Sequence, residues 1–157
     1  MEKTKMSKIT GAFRCAFPQT IPILAGFAFL GLSYGIYMKV SGFSFWYPLS
    51  MSVLIFGGSL EFVAVSMLLG TFAPLQTLLM TLMINARHLF YGISMIDKYK
   101  SAGKFKPYLI FALTDETYSL VCTEEEENSH RYHFLVSLFN HIYWVGGTVL
   151  GAAVGSA

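Results

Sequence analysis

Apolar residues gather into five long runs, at 17–38, 48–70, 74–96, 107–123 and 132–155, each bounded by charges, proline or glycine. A helix that crosses a bilayer needs about 20 mostly apolar residues. The pattern therefore predicts an all-α, polytopic helical membrane protein, a single integral membrane domain over 1–157. Phe45, Trp46 and Tyr47 stand just before the second run, where an interfacial aromatic belt belongs.

Composition sharpens this. Of the 157 residues, 54% are apolar and only 13% charged, against roughly 25% charged in soluble domains. So short a chain cannot hide that much apolar surface from water. A net charge of +2 gives no reason to expect a nucleic-acid partner. The first run follows Lys3, Lys5, Lys8 and Arg14, as a signal peptide would. No small-x-small cleavage site follows it, so it reads as a membrane helix that stays. Cys15 and Cys122 are too few for a disulfide framework and are expected to be free thiols. No cysteine–histidine spacing suggests a metal, and no phosphate-cradling glycine loop suggests a nucleotide, so no cofactor is expected.

Positive charge marks the cytoplasmic side. The basic N-terminal tail and the stretch holding Lys98, Lys100, Lys104 and Lys106 would fall on opposite sides if runs one to three all crossed. They share a side if the second run enters and returns, and Gly57-Gly58-Ser59 offers a natural break between two half-spans. Re-entrant backbone is tolerated where it lines a protein cavity. A kinked spanning helix with an unusual basic outer loop is the alternative. In the re-entrant reading the loop 124–131, with four consecutive glutamates, lies outside.

Residues 25–35 (AGFAFLGLSYG) and 145–155 (VGGTVLGAAVG) share a glycine pattern. Small residues spaced by four suit close helix packing. Opposite directions of runs one and five would instead mark an inverted repeat, a common transporter plan. The chain would then hold a first repeat and the start of a second.

Ionisable groups sit at mid-membrane depth, where each costs about 2.5–3.5 kcal/mol even on lenient scales. They are Glu61, Arg87 with His88 and Asn85, Asp115 with Glu116, and His141 beside Asn140. They are expected to face one another or a wet cavity. Arg87 is the permanent cation. Full ionisation would leave a surplus of negative charge, so at least one carboxyl is expected to hold a proton part of the time. Arg87 with a carboxylate is either a structural ion pair or a working one. His88 and His141 are either hydrogen-bonded interior rings or proton relays. The break at Gly57, Gly58 and Ser59 would present a half-helix N-terminus, which suits a carboxylate, while Glu61 suits an ammonium. With Asn85 nearby and Phe56, Phe62 and Phe90 as walls, these residues could hold an amino-acid zwitterion.

The strings FGGSLEFVAVSMLLG (56–70), NARHLFYGISM (85–95) and TDETYSL (114–120), in this order, resemble the AzlC family of branched-chain amino acid permeases. The resemblance implies a multi-pass exporter of leucine, isoleucine and valine in the bacterial inner membrane, with a cytoplasmic N-terminus. It also implies proton-driven transport, a small AzlD-type membrane subunit and no ATP site. Many family members have Gln where this chain has Glu61, and members continue through further helices after the run at 132–155. A non-transporting membrane subunit acting through helix contacts is the rival reading. No serine–histidine, paired-aspartate or H-E-x-x-H arrangement suggests an intramembrane enzyme.

Overall fold

A computed structural model describes residues 2–122 and 129–155, with side chains for 11–122 and 130–155. The four consecutive glutamates lie outside the described residues. Every regular element among the described residues is helical: α1 Glu2–Val40, α2 Trp46–Leu54, α3 Ser59–Leu69, α4 Pro74–Lys100, a 3-10 turn Gly103–Phe105, α5 Lys106–Phe111, α6 Asp115–Val121 and α7 Ser129–Val154. Gly11–Val40 and His130–Val154 are long and apolar enough to cross a bilayer. Pro18 and Pro22 lie inside α1 without ending it. The buried hydroxyl of Thr20 donates to the Phe17 carbonyl at 3.0 Å, within the stretch where proline removes backbone donors. Leu75, Met83, Phe90 and Ile93 project from α4 with about 70% of their surface open, as lipid-facing side chains do.

The chain divides into two compact units. One comprises residues 1–25 and 90–140. Its core is built from Ala16, Met95, Tyr99, Leu109, Leu113, Val121, Tyr132 and Val136. The fourth apolar run, expected to span, is instead broken here. α5 has 6 residues and α6 has 7, about 9 and 10 Å of helix, far short of a crossing. The two are separated by 112–114, where Thr114 becomes the N-cap and its Oγ1 accepts from the Thr117 N–H. α6 runs beside α4 in the same direction. Tyr118 stacks on Tyr91 with centroids 4.3 Å apart and meets the Ser94 hydroxyl at 3.1 Å. Further along, Lys98 Nζ reaches the carbonyl oxygens of Val121 and Cys122. The chain leaves α4, turns back as α5, reverses at 112–114 and returns as α6. This explains why residue 122 ends beside Lys98, and not at a far face as one spanning helix would require.

The other unit comprises 26–89 and 141–157. α2 and α3 form a hairpin in it. α1 ends at Val40, and the chain returns along it. Met51 Sδ accepts from the Tyr34 hydroxyl at 3.4 Å, and Phe56 meets Phe27, further back on α1, at 6.4 Å. Then it reverses, because Phe62 lies against Tyr34 at 5.4 Å and Tyr37 at 6.4 Å. A kinked spanning helix would have carried Phe62 beyond Phe27. The break that permits reversal uses positive φ at Phe56 (47°) and Gly58 (42°).

In this unit α1 and α7 meet backbone to backbone. A Cβ on Gly31 would lie 2.9 Å from the Trp144 carbonyl oxygen, and one on Gly147 2.9 Å from that of Phe27. Gly35 meets Thr148, Gly151 and Ala152, Gly151 meets Leu32, and Gly155 meets Ile36 and Lys39. Partners rise together in number, so the two helices run in the same direction. This corrects the opposite directions expected of runs one and five. The shared glycine pattern is a packing seam, each glycine offset by about one turn from its partner.

Candidate functional site

The break between α2 and α3 brings a carboxyl group inside. Glu61 is in the first turn of α3 and has no solvent exposure. Its Oε1 accepts from the Gly57 N–H at 2.9 Å and from the indole Nε1–H of Trp144 on α7 at 3.0 Å. The first contact resembles the reach-back of a capping box, in which a carboxylate satisfies amides at a helix start. The amide donors proposed for a substrate carboxylate are thus partly engaged by the protein's own Glu61. Its second oxygen, Oε2, is equally buried and has no hydrogen-bond partner.

Aromatic rings enclose this carboxyl. Trp144 packs edge-on to Phe27 at 5.6 Å and stacks on Tyr34 at 6.1 Å, and Tyr34 also meets Phe62. Phe56 and Phe62 are the walls expected from the sequence. Phe90, the third ring expected there, is 72% exposed. Phe27, Tyr34 and Trp144 are further rings of this cluster. Their distance from Glu61 in sequence hid them; an aromatic every seven residues along α1 (27, 34) was the available signal.

His141 lies one turn before Trp144 on α7. Its Nε2 is 3.3 Å from the carbonyl of buried Ser52, and its ring stacks on Phe56 at 4.5 Å. It braces the strained turn from the α7 side. Gly57 and Gly58 are half-buried, whereas Ser59 opens to the exterior. Asn85 and His88 are half-buried on α4, and Arg87 is on its exposed side. Asn85 makes no hydrogen bond to the break. A cavity of about 240 Å³ between α3 and α4, lined by Ser66, Gln76, Thr77 and Met80, contains none of these residues.

Asp115 and Glu116 occupy the first turn of α6 in the other unit, half-buried behind the Thr114 cap. Asn140 of α7, fully buried, donates through Nδ2 to Thr117 Oγ1 at 3.1 Å. Among the described residues no group of three His, Cys, Asp or Glu comes together as a metal site.

The chain matches the family described as "AzlC protein" over residues 22–157. It belongs to the AzlC family. It is 54% identical over 155 residues, 97% of its own length, to the branched-chain amino acid transport protein AzlC of Bacillus subtilis (strain 168), of which it covers 61%. It is 48% identical to an uncharacterized membrane protein of Haemophilus influenzae, covering 94% of this chain and 62% of that one. It is 27% identical to the inner membrane protein YgaZ of Escherichia coli K12, over 87% of this chain and 58% of that protein. The chain thus spans about three-fifths of the length of these relatives. No solved structure matches it. Membership places this AzlC-family chain in a membrane, in accord with its apolar helices.

Proposed function

We propose that these residues form part of a secondary transporter that exports branched-chain amino acids across the bacterial cytoplasmic membrane. Export is proton-coupled and uses a small AzlD-type membrane subunit. The observation that carries the reading is Glu61. It is a fully buried carboxyl at the tip of a broken hairpin, with one oxygen held by Gly57 and Trp144 and the other unpartnered. A carboxyl at this depth is costly and marks an ion or substrate path. Its open Oε2 suits a proton or an ammonium group, and the rings of Phe56, Phe62 and Tyr34 suit an apolar side chain. The name carried by the B. subtilis relative supplies the substrate class.

The orientation follows from charge. Every Lys and Arg except Lys39 and Arg87 falls within 1–25 and 90–140, the ranges of one compact unit. The N-terminus and the basic stretch 98–106 are therefore read as cytoplasmic. A purely structural membrane subunit would use the glycine seam equally well, but has no need of a half-partnered buried carboxyl.

The test is efflux of leucine, isoleucine and valine from bacterial cells loaded with the corresponding peptides. The chain is expressed with its candidate small subunit, as wild type and as Glu61→Gln and Glu116→Gln. Efflux above the empty-vector control, and its loss in a variant that still reaches the membrane, supports the reading. Absence of efflux from correctly inserted wild-type protein overturns it.

A further inference from the structure

α7 carries a buried polar stripe that the Glu61 site does not use. His133, Ser137 and Asn140 are spaced by four and three residues, so they share one helix face. All three have no solvent exposure. Both ring nitrogens of His133, the hydroxyl of Ser137 and Oδ1 of Asn140 have no hydrogen-bond partner. Tyr99 of α4 meets the His133 ring edge-on at 5.8 Å, and its hydroxyl is likewise buried and unpartnered. At the other end Asn140 donates to Thr117, whose hydroxyl is 3.2 Å from that of Thr114 at the break before α6.

A buried donor or acceptor without a partner costs about 1–3 kcal/mol, and native interiors contain few. Here such groups line up along one helix face and end at a row of hydroxyls. Along the axis, His133 and Ser137 are about 6 Å apart and Ser137 and Asn140 about 4.5 Å, spacings that single water molecules bridge. We infer that this stripe is a hydrated proton path, with water completing the hydrogen bonds and His133 as its proton-exchanging member. A neutral imidazole accepts a proton on one ring nitrogen and releases one from the other. The ring returns to neutrality while one proton moves on. Thr117 Oγ1 accepts from both Thr114 Oγ1 and Asn140 Nδ2, so its own proton is left to donate to water, and a hydroxyl such as that of Ser137 can accept one hydrogen bond and donate another without acquiring charge. The ionisable groups facing His133 are Lys98 and Tyr99 from α4, and His130 and Tyr132 on its own helix. Lys98 is engaged with the Val121 and Cys122 carbonyls. The inference rests on the membrane location and the proton coupling proposed above, and not on the substrate or direction of transport.

The experiment uses the full chain in liposomes and hydroxyl radicals generated by X-ray radiolysis of water, read by mass spectrometry. Tyr34 is the internal reference, as buried as Tyr99 but bonded to Met51 and walled by aromatic rings. The expected result is labelling of Tyr99 and His133 at least tenfold faster than Tyr34. Equal, slow labelling of all three overturns the hydrated stripe. In the same liposomes, an imposed pH gradient should decay faster than in protein-free liposomes, and at least threefold more slowly in His133→Gln than in wild type. No wild-type flux, or flux unchanged by His133→Gln, overturns the proton role. The labelling of wild-type protein stands whether or not the variant folds.

Discussion

The indole N–H of Trp144 donates to Oε1 of Glu61 over 3.0 Å, joining α7 to a hairpin that lies 83 residues earlier. Both side chains are buried, so the bond is not shared with solvent. Removing the donor leaves the carboxyl with only the backbone amides of Gly57 and Gly58. Trp144→Phe should destabilise the protein by about 1–3 kcal/mol. The same change on a Glu61→Leu background should cost markedly less. Reversible unfolding in mixed micelles of the four proteins gives the coupling, and additive costs would show that the bond contributes nothing.

The glycine seam sets a sharper contrast. Gly35 lies against the backbone of α7, while Gly26 and Gly146 have open space around them. Gly35→Ala should cost about 1–3 kcal/mol because no flexible side chain can yield. Gly26→Ala and Gly146→Ala should stay within about 0.5 kcal/mol of wild type. Thermal denaturation in detergent separates the two classes, and equal effects would argue against a tight seam.

Backbone conformation, rather than crowding, decides the fate of Gly58. Nothing lies within 4 Å of a Cβ built there, yet its φ is +42°. Gly58→Ala should therefore lose about 1–2 kcal/mol through strain alone. The same unfolding assay checks it, and a neutral result would mean that the turn relaxes.

Reversal of the chain at 55–58 predicts which loops share a face. Ser44 and Thr71 flank the α2–α3 hairpin and are both exposed. On a Cys15→Ser, Cys122→Ser background, Ser44→Cys and Thr71→Cys should react with an impermeant thiol reagent from the same side of the membrane. Labelling from opposite sides would restore the spanning helix.

Much of this hairpin was legible in the sequence, because Gly57-Gly58-Ser59 interrupts an apolar run with residues that tolerate unusual backbone. The second break was not. Ala112-Leu113-Thr114 contains neither glycine nor proline, and the cue was a Thr-Asp-Glu string that also reads as a helix start. The direction of α7 was misread for that reason, since counting one crossing too many inverts everything after it. Glu61 was found by its cost at depth, but Trp144 was not, because an interior tryptophan is equally at home in plain packing. His133 and Ser137 were passed over because neither carries a fixed charge. Their significance lies in absent partners, which only a three-dimensional arrangement reveals.

The long sequence separation between Glu61 and Trp144 also orders events in biosynthesis. As the chain emerges, the hairpin is made well before the helix that completes it. Until α7 arrives, Glu61 has only its local amides, and Gly31 and Gly35 lack the α7 backbone they meet in the folded protein. The nascent protein must therefore hold an unfinished carboxyl site near lipid. Arrival of α7 supplies the indole donor and closes the seam together, so one docking event completes both.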